Sequence, residues 1–163
     1  MYFDSSLNFE GAGAGVLFMP PSGKKLRYAL QLHLWATNNV EEYEALLHGI
    51  RAAVELGARC LFMRGDSKLV INQVMKESTY HDMRMESYYV EVEKLEDKFD
   101  GCEIHHVLRR DNEEANFLAK LASSRKPSPA RVFLDILDIP SIRLVEGKMA
   151  APTGTISTST YVT

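Results

Sequence analysis

The sequence predicts an α/β domain built on a five-stranded mixed sheet flanked by helices. Three observations point there. Apolar residues recur with period two over residues 26–34, then with helical spacing over residues 43–57 and 85–99. Strand-like runs come first in succession and afterwards alternate with helices. The early runs are joined by short turns, which makes a three-strand antiparallel meander, while the later strands follow whole helices and should lie parallel to the first.

The elements follow in order. "MYFDSS" opens a first strand, and "GAGAGVLFMP" is an apolar run read as a second strand with a flexible glycine start. "PPSGK" is a turn cluster. In "KLRYALQLHLWA", Leu26, Tyr28, Leu30, Leu32 and Leu34 face one way, and Arg27, Gln31 and His33 the other, as in a half-buried strand. After "TNN", the residues Tyr43, Leu46, Leu47, Ile50 and Val54 share a helical stripe that Gly57 stops. "RCLFMRG" is a short buried strand, and Ser67 is placed to cap the helix "KLVINQVMK". A further helix carries Met85, Tyr88, Tyr89, Val92, Leu95 and Phe99 up to Gly101. "CEIHHVL" is the last strand. "RRDNEEANFLAKLA" is the last helix, with Asp111 as cap and Glu114 as the capping-box acid. Residues 1–124 form the domain. Residues 125–163, rich in proline and then in serine and threonine, read as linker or tail, partly disordered.

Composition narrows the function. The formal net charge is −3 over 163 residues. A nucleic-acid role must therefore rest on a local basic patch or on metal ions, because bulk positive charge is missing. No apolar run is long enough to span a bilayer, so no membrane partner is expected. The first residues carry no secretory signal pattern, which implies an intracellular location, nuclear or cytoplasmic. Cys60 and Cys102 are isolated in sequence and read as buried free thiols.

Three acids stand apart from the charged surface. On the first helix Glu41, Glu44 and Glu55 cluster opposite the apolar stripe and read as a solvated face. Glu42 projects from the other flank, beside Gly49 and Ala53. Asp4 lies on the first strand, and Asp66 follows the fourth at its carboxyl end, where open α/β sheets gather ligands. If the first and fourth strands are parallel neighbours, the three carboxylates meet. They repel unless divalent cations sit between them, and Mg²⁺ is the ion that prefers oxygen ligands and phosphate substrates.

With these residues in view, the motifs "YFDSS", "GAGAGVLF", "TNNVEEYEALLHGI", "RGDSKLVINQV" and "HHVLRRDNEEANFLAKLA" resemble the RNase H type-1 domain. The version they resemble most is the one in plant gypsy-type LTR retrotransposon polyproteins. The resemblance covers residues 1–124. It implies cleavage of the RNA strand of an RNA–DNA hybrid with two Mg²⁺ ions, Mn²⁺ being able to substitute. It implies as partners the reverse transcriptase and integrase portions of a parent polyprotein. It puts metal-binding, catalytic acids at Asp4, Glu42 and Asp66, and a fourth at the position of Asn116. It puts hybrid contacts at Ser5, Asn38, Asn39 and Asn112. Asn38 has a plainer alternative as helix cap. His106 matches a histidine that aids product release in bacterial relatives, although a strand histidine is more often structural. Arg109 and Arg110 are either phosphate ligands or solvated loop charges. The basic protrusion of some bacterial members is replaced by an acidic helix with Glu91, Glu93, Glu96 and Asp97.

Three departures qualify the expected activity. Asn116 removes one charge from the cluster. Ser5 stands where the family usually has glycine, and is expected to strain the backbone or crowd the substrate. The first strand begins almost at Asp4 and is expected to be clipped. The leading expectation is a hybrid ribonuclease of weakened activity. The alternative is a catalytically dead binding or structural module of a retroelement remnant.

Overall fold

The computed structural model describes residues 1–34, 36–75 and 83–142. Strands β1 (Tyr2–Asn8), β2 (Gly11–Phe18) and β3 (Leu26–Leu32) form the expected antiparallel meander. Then come α1 (Asn38–Glu55), β4 (Cys60–Gly65), α2 (Lys68–Val74), α3 (Met83–Glu96), β5 (Gly101–His106) and α4 (Glu113–Ser123). A sixth strand, β6 (Val132–Leu137), closes the order β5-β4-β1-β2-β3-β6. It corrects the five-strand expectation and takes residues 132–137 out of the stretch read as linker. "VFLDIL" has no clear strand period of its own; it is held by parallel pairing along the whole of β3, with Phe133 stacked on Tyr28. The tail from residue 143 onward lies outside the described residues.

Helix α1 ends as its sequence dictates. Gly57 takes a left-handed φ of +80°, and the amides of Gly57 and Ala58 return to the carbonyls of Val54 and Ala53. At the other end Thr37, not Asn38, is the cap, its hydroxyl accepting from the Val40 amide at 3.3 Å. The solvated face expected for Glu41, Glu44 and Glu55 holds only at Glu55; Glu41 and Glu44 are buried. Glu44 accepts from the Tyr88 hydroxyl and from the amide and hydroxyl of Ser141, whose carbonyl accepts from Arg51. The segment after β6 thus lies over α1, something no local helical pattern records. Burial raises the Glu41 carboxyl to about 7.

The glycines of β2 prove to be packing positions, not a flexible start. Ala12, Ala14 and Val16 pack in the core with Phe3 and Leu46, while Gly13 and Gly15 lie under α4. A Cβ on Gly15 would sit 2.3 Å from the Ala115 carbonyl oxygen, and one on Gly13 would sit 2.4 Å from the Ser123 amide. The bare backbone lets Ala115, Leu118, Ala119 and Ala122 seat directly on the sheet. Just past α4, Arg125 donates to the carbonyls of Ala12 and Leu32, tying the helix end to β2 and β3.

The first strand runs seven residues and pairs with β2 throughout, so the expected clipping does not weaken that side. Its pairing with β4 is limited to Tyr2 with Arg64 and Phe3 with Gly65. Beyond that point the two strands part. Cys60 is exposed and Cys102 half-buried, both free, which corrects the reading of two buried thiols.

Candidate active site

The parting of β1 and β4 makes the site. Asp4 is the first β1 residue past the last shared pair, and Asp66 directly follows Gly65. Glu42 comes from the second turn of α1, which crosses above. Asp4, Glu42 and Asp66 each offer a carboxylate oxygen, and these oxygens lie within 4.8 Å of one another. Asp4 and Glu42 are 3% and 7% exposed. Burial pushes the Glu42 carboxyl well above the usual carboxylate range, and the Asp4 charge adds to the effect. Asp4 is likewise raised, by burial first and by the neighbouring Asp66 charge second.

The structure offers a direct test of whether these residues suit a cation. Glu42 Oε1 and Asp66 Oδ2 are buried with no hydrogen-bond partner among the described residues. Such atoms are costly to leave bare, and clustered acids of raised pKa magnify the cost. A hard divalent ion with a preference for oxygen would satisfy both atoms and offset the repulsion. The donor set therefore fits.

The remaining oxygens are held by neighbours. The Ser5 amide donates to Asp4 Oδ1 at 2.8 Å, and the Ser5 hydroxyl donates to Glu42 Oε2 at 3.0 Å. The Asn116 amide donates to Asp4 Oδ2 at 3.0 Å. Each of these contacts fixes one oxygen of a carboxylate. Ser5 sits within a regular strand and is absent from the positive-φ residues, so the expected backbone strain is not found. Its hydroxyl instead orients Glu42. Ser5→Ala is expected to weaken Mn²⁺ binding about tenfold, in the range of lost outer-shell contacts, while Ser5→Thr retains it. Isothermal titration checks this; equal affinity in the alanine variant would show that Glu42 is held by packing alone.

Asn116 faces Asp4 as expected, on the half-buried side of α4. The capping read at its helix start is corrected. Asp111 lies in a 3₁₀ turn (Arg109–Asp111), and Asn112 occupies the cap position with no capping hydrogen bond from its side chain. Glu114 pairs with Lys25 at 2.7 Å. Asn112 is also 1% exposed, and its Oδ1 has no hydrogen-bond partner among the described residues. Its amide donates to the Phe3 carbonyl at 2.9 Å and pins the α4 start beside Asp4. Asn38 and Asn39 lie one turn before Glu42 on α1, exposed and half-buried. His106 is exposed at the end of β5, in register with Gly65, the residue before Asp66. Arg109 brings its Nε to 3.8 Å from Asp66 Oδ2, and Arg110 is exposed beside it. Sequence reasoning missed the Ser5 hydroxyl and the Thr37 cap. Only the second had a local signal, threonine before a helical start.

A family model described as reverse transcriptase-like matches residues 3–122. Ribonuclease HI of Halobacterium salinarum is 38% identical over 87 residues, which is 53% of this chain and 44% of that protein. The chain thus spans less than half the length of that relative. The crystal structure of RNase H1 from Halobacterium salinarum is similar with a TM-score of 0.68 and 31% identity, covering 77% of this chain and 96% of the other. LC11-RNase H1, solved in complex with RNA/DNA hybrid, shares the fold at 21% identity with a TM-score of 0.65, covering 76% of this chain and 95% of the other.

Proposed function

Because the chain belongs to the reverse transcriptase-like family and has the RNase H fold, we propose that it binds RNA–DNA hybrid and hydrolyses the RNA strand. The observation that carries this reading is the meeting of Asp4, Glu42 and Asp66, with Glu42 Oε1 and Asp66 Oδ2 buried and without hydrogen-bond partners among the described residues. These residues would hold Mg²⁺, as a pair of ions with Asn116 as a weak fourth ligand, and Mn²⁺ would serve in its place. When bound, such ions activate water and stabilise the leaving oxygen. The protein does the positioning. Ser5 holds Glu42, Asn116 holds Asp4, and Asn112 holds the loop that carries Arg109 toward Asp66. Asn38 and Asn39 stand where side-chain amides meet sugar 2′-hydroxyls, and Arg109 where a guanidinium meets phosphate. By descent we place the chain in a plant gypsy-type polyprotein, beside reverse transcriptase and integrase portions and within the cell.

A second reading, a binding module without catalysis, draws on one observation. The Asn116 amide already gives Asp4 a neutral donor where the family would have a metal-binding acid. A cleavage assay separates the two. End-labelled RNA is annealed to DNA, or to RNA as a control, and incubated in Mg²⁺, Mn²⁺ or EDTA. Metal-dependent cutting confined to the hybrid is expected. Hybrid binding with no cutting in either metal would replace the leading reading by the second.

A further inference from the structure

The net charge of −3 requires any nucleic-acid contact away from the carboxylates to be local. The helix that could have carried such a patch is acidic. A basic patch does exist, assembled from distant parts of the chain. Lys24, Lys25 and Arg27 at the β2–β3 turn share one open depression with Arg131 and Phe133 at the start of β6. Glu114 pairs with Lys25 at 2.7 Å and lies 3.6 Å from Arg27, so it offsets part of this charge. Lys24 and Arg131 are exposed, with no acidic partner among the described residues. Phe133 is 57% exposed, and its ring stacks on Tyr28 at 5.1 Å, which holds it in place without covering it.

We propose that this depression is a second nucleic-acid site, taking a single strand with phosphates on Lys24 and Arg131 and a base stacked on Phe133. Backbone-tracking cations beside an exposed aromatic are the two parts of a sequence-tolerant single-strand site. The patch sits on β3 and β6, two and three strands from β1, which at strand spacing is about 10–15 Å across the sheet. The proposal draws on the nucleic-acid reading of the active site but needs none of its chemistry.

The test is fluorescence anisotropy with a labelled 12-nucleotide oligo(U), in EDTA, over a salt series. Lys24→Glu with Arg131→Glu is expected to weaken binding more than tenfold and to lower the salt slope by about 1.4, the loss of two phosphate contacts. Phe133→Ala is expected to weaken binding about tenfold with the slope unchanged, because stacking releases no counterions. Thermal unfolding of each variant controls for folding. No oligo(U) binding by the unmodified chain, or an unchanged slope in the charge-reversed variant, overturns the proposal. A Mn²⁺ titration reports the carboxylate site separately: absent uptake sinks the active-site reading and leaves the patch standing.

Discussion

Asn116→Asp is expected to tighten Mn²⁺ binding about tenfold and to raise cleavage of hybrid, while Asp66→Asn abolishes both. The Asn116 amide lies 3.0 Å from Asp4 Oδ2, so an aspartate in the same rotamer would place a fourth carboxylate against the cluster. A tenfold gain is about 1.4 kcal/mol, a modest part of what one more unit charge offers a divalent ion at an effective dielectric of about 20. The same substitution removes a hydrogen bond to Asp4 and adds like charge to acids that are already raised. The metal-free variant should therefore unfold more readily, and Mn²⁺ should restore it. Titration calorimetry and thermal melts in EDTA and in Mn²⁺ read the two effects. Equal affinity in the Asn116→Asp variant would mean that α4 does not present this position to the ions. Asp66→Asn turns one of the three clustered carboxylates into a neutral amide and takes an oxygen from the set that would hold the ions.

Gly15→Ala is expected to destabilise the fold by about 3 kcal/mol, at the upper end of overpacking costs. The added methyl would meet the Ala115 carbonyl oxygen at 2.3 Å and the Ala119 amide at 2.6 Å. Both are helix backbone, so no rotamer change relieves the clash; α4 must lift from the sheet. Lifting it withdraws Asn116 from Asp4 and Asn112 from Phe3. The surviving folded fraction should bind Mn²⁺ more weakly than the unmodified chain. Urea unfolding measures the first effect. An unchanged midpoint would contradict the close seating of α4 on β2.

Much of the fold was legible because its signals are local. The order from the meander to α4 follows from periodicity and turn residues, and Gly57 stops α1 as its place in the sequence implies. The acids Asp4, Glu42 and Asp66 were legible because their sequence contexts imply the same corner of one topology. The Ser5 hydroxyl was not, since its partner Glu42 lies 37 residues away. Glu44 was misread for the same reason: its partners Tyr88 and Ser141 lie on other elements, and the helical wheel shows only what shares its own turn.

By itself the sequence determined the element order from the meander to α4 and the glycine stop of α1, because backbone propensity and period act over a few residues. Tertiary structure alone decided that β6 joins the sheet, that the β2 glycines seat α4, and that Arg131 comes to the β2–β3 turn. It also decided which carboxylate oxygens are held and which stay free. These outcomes depend on contacts across the chain, where hydrogen bonds and charges act at a few ångströms whatever the separation in sequence.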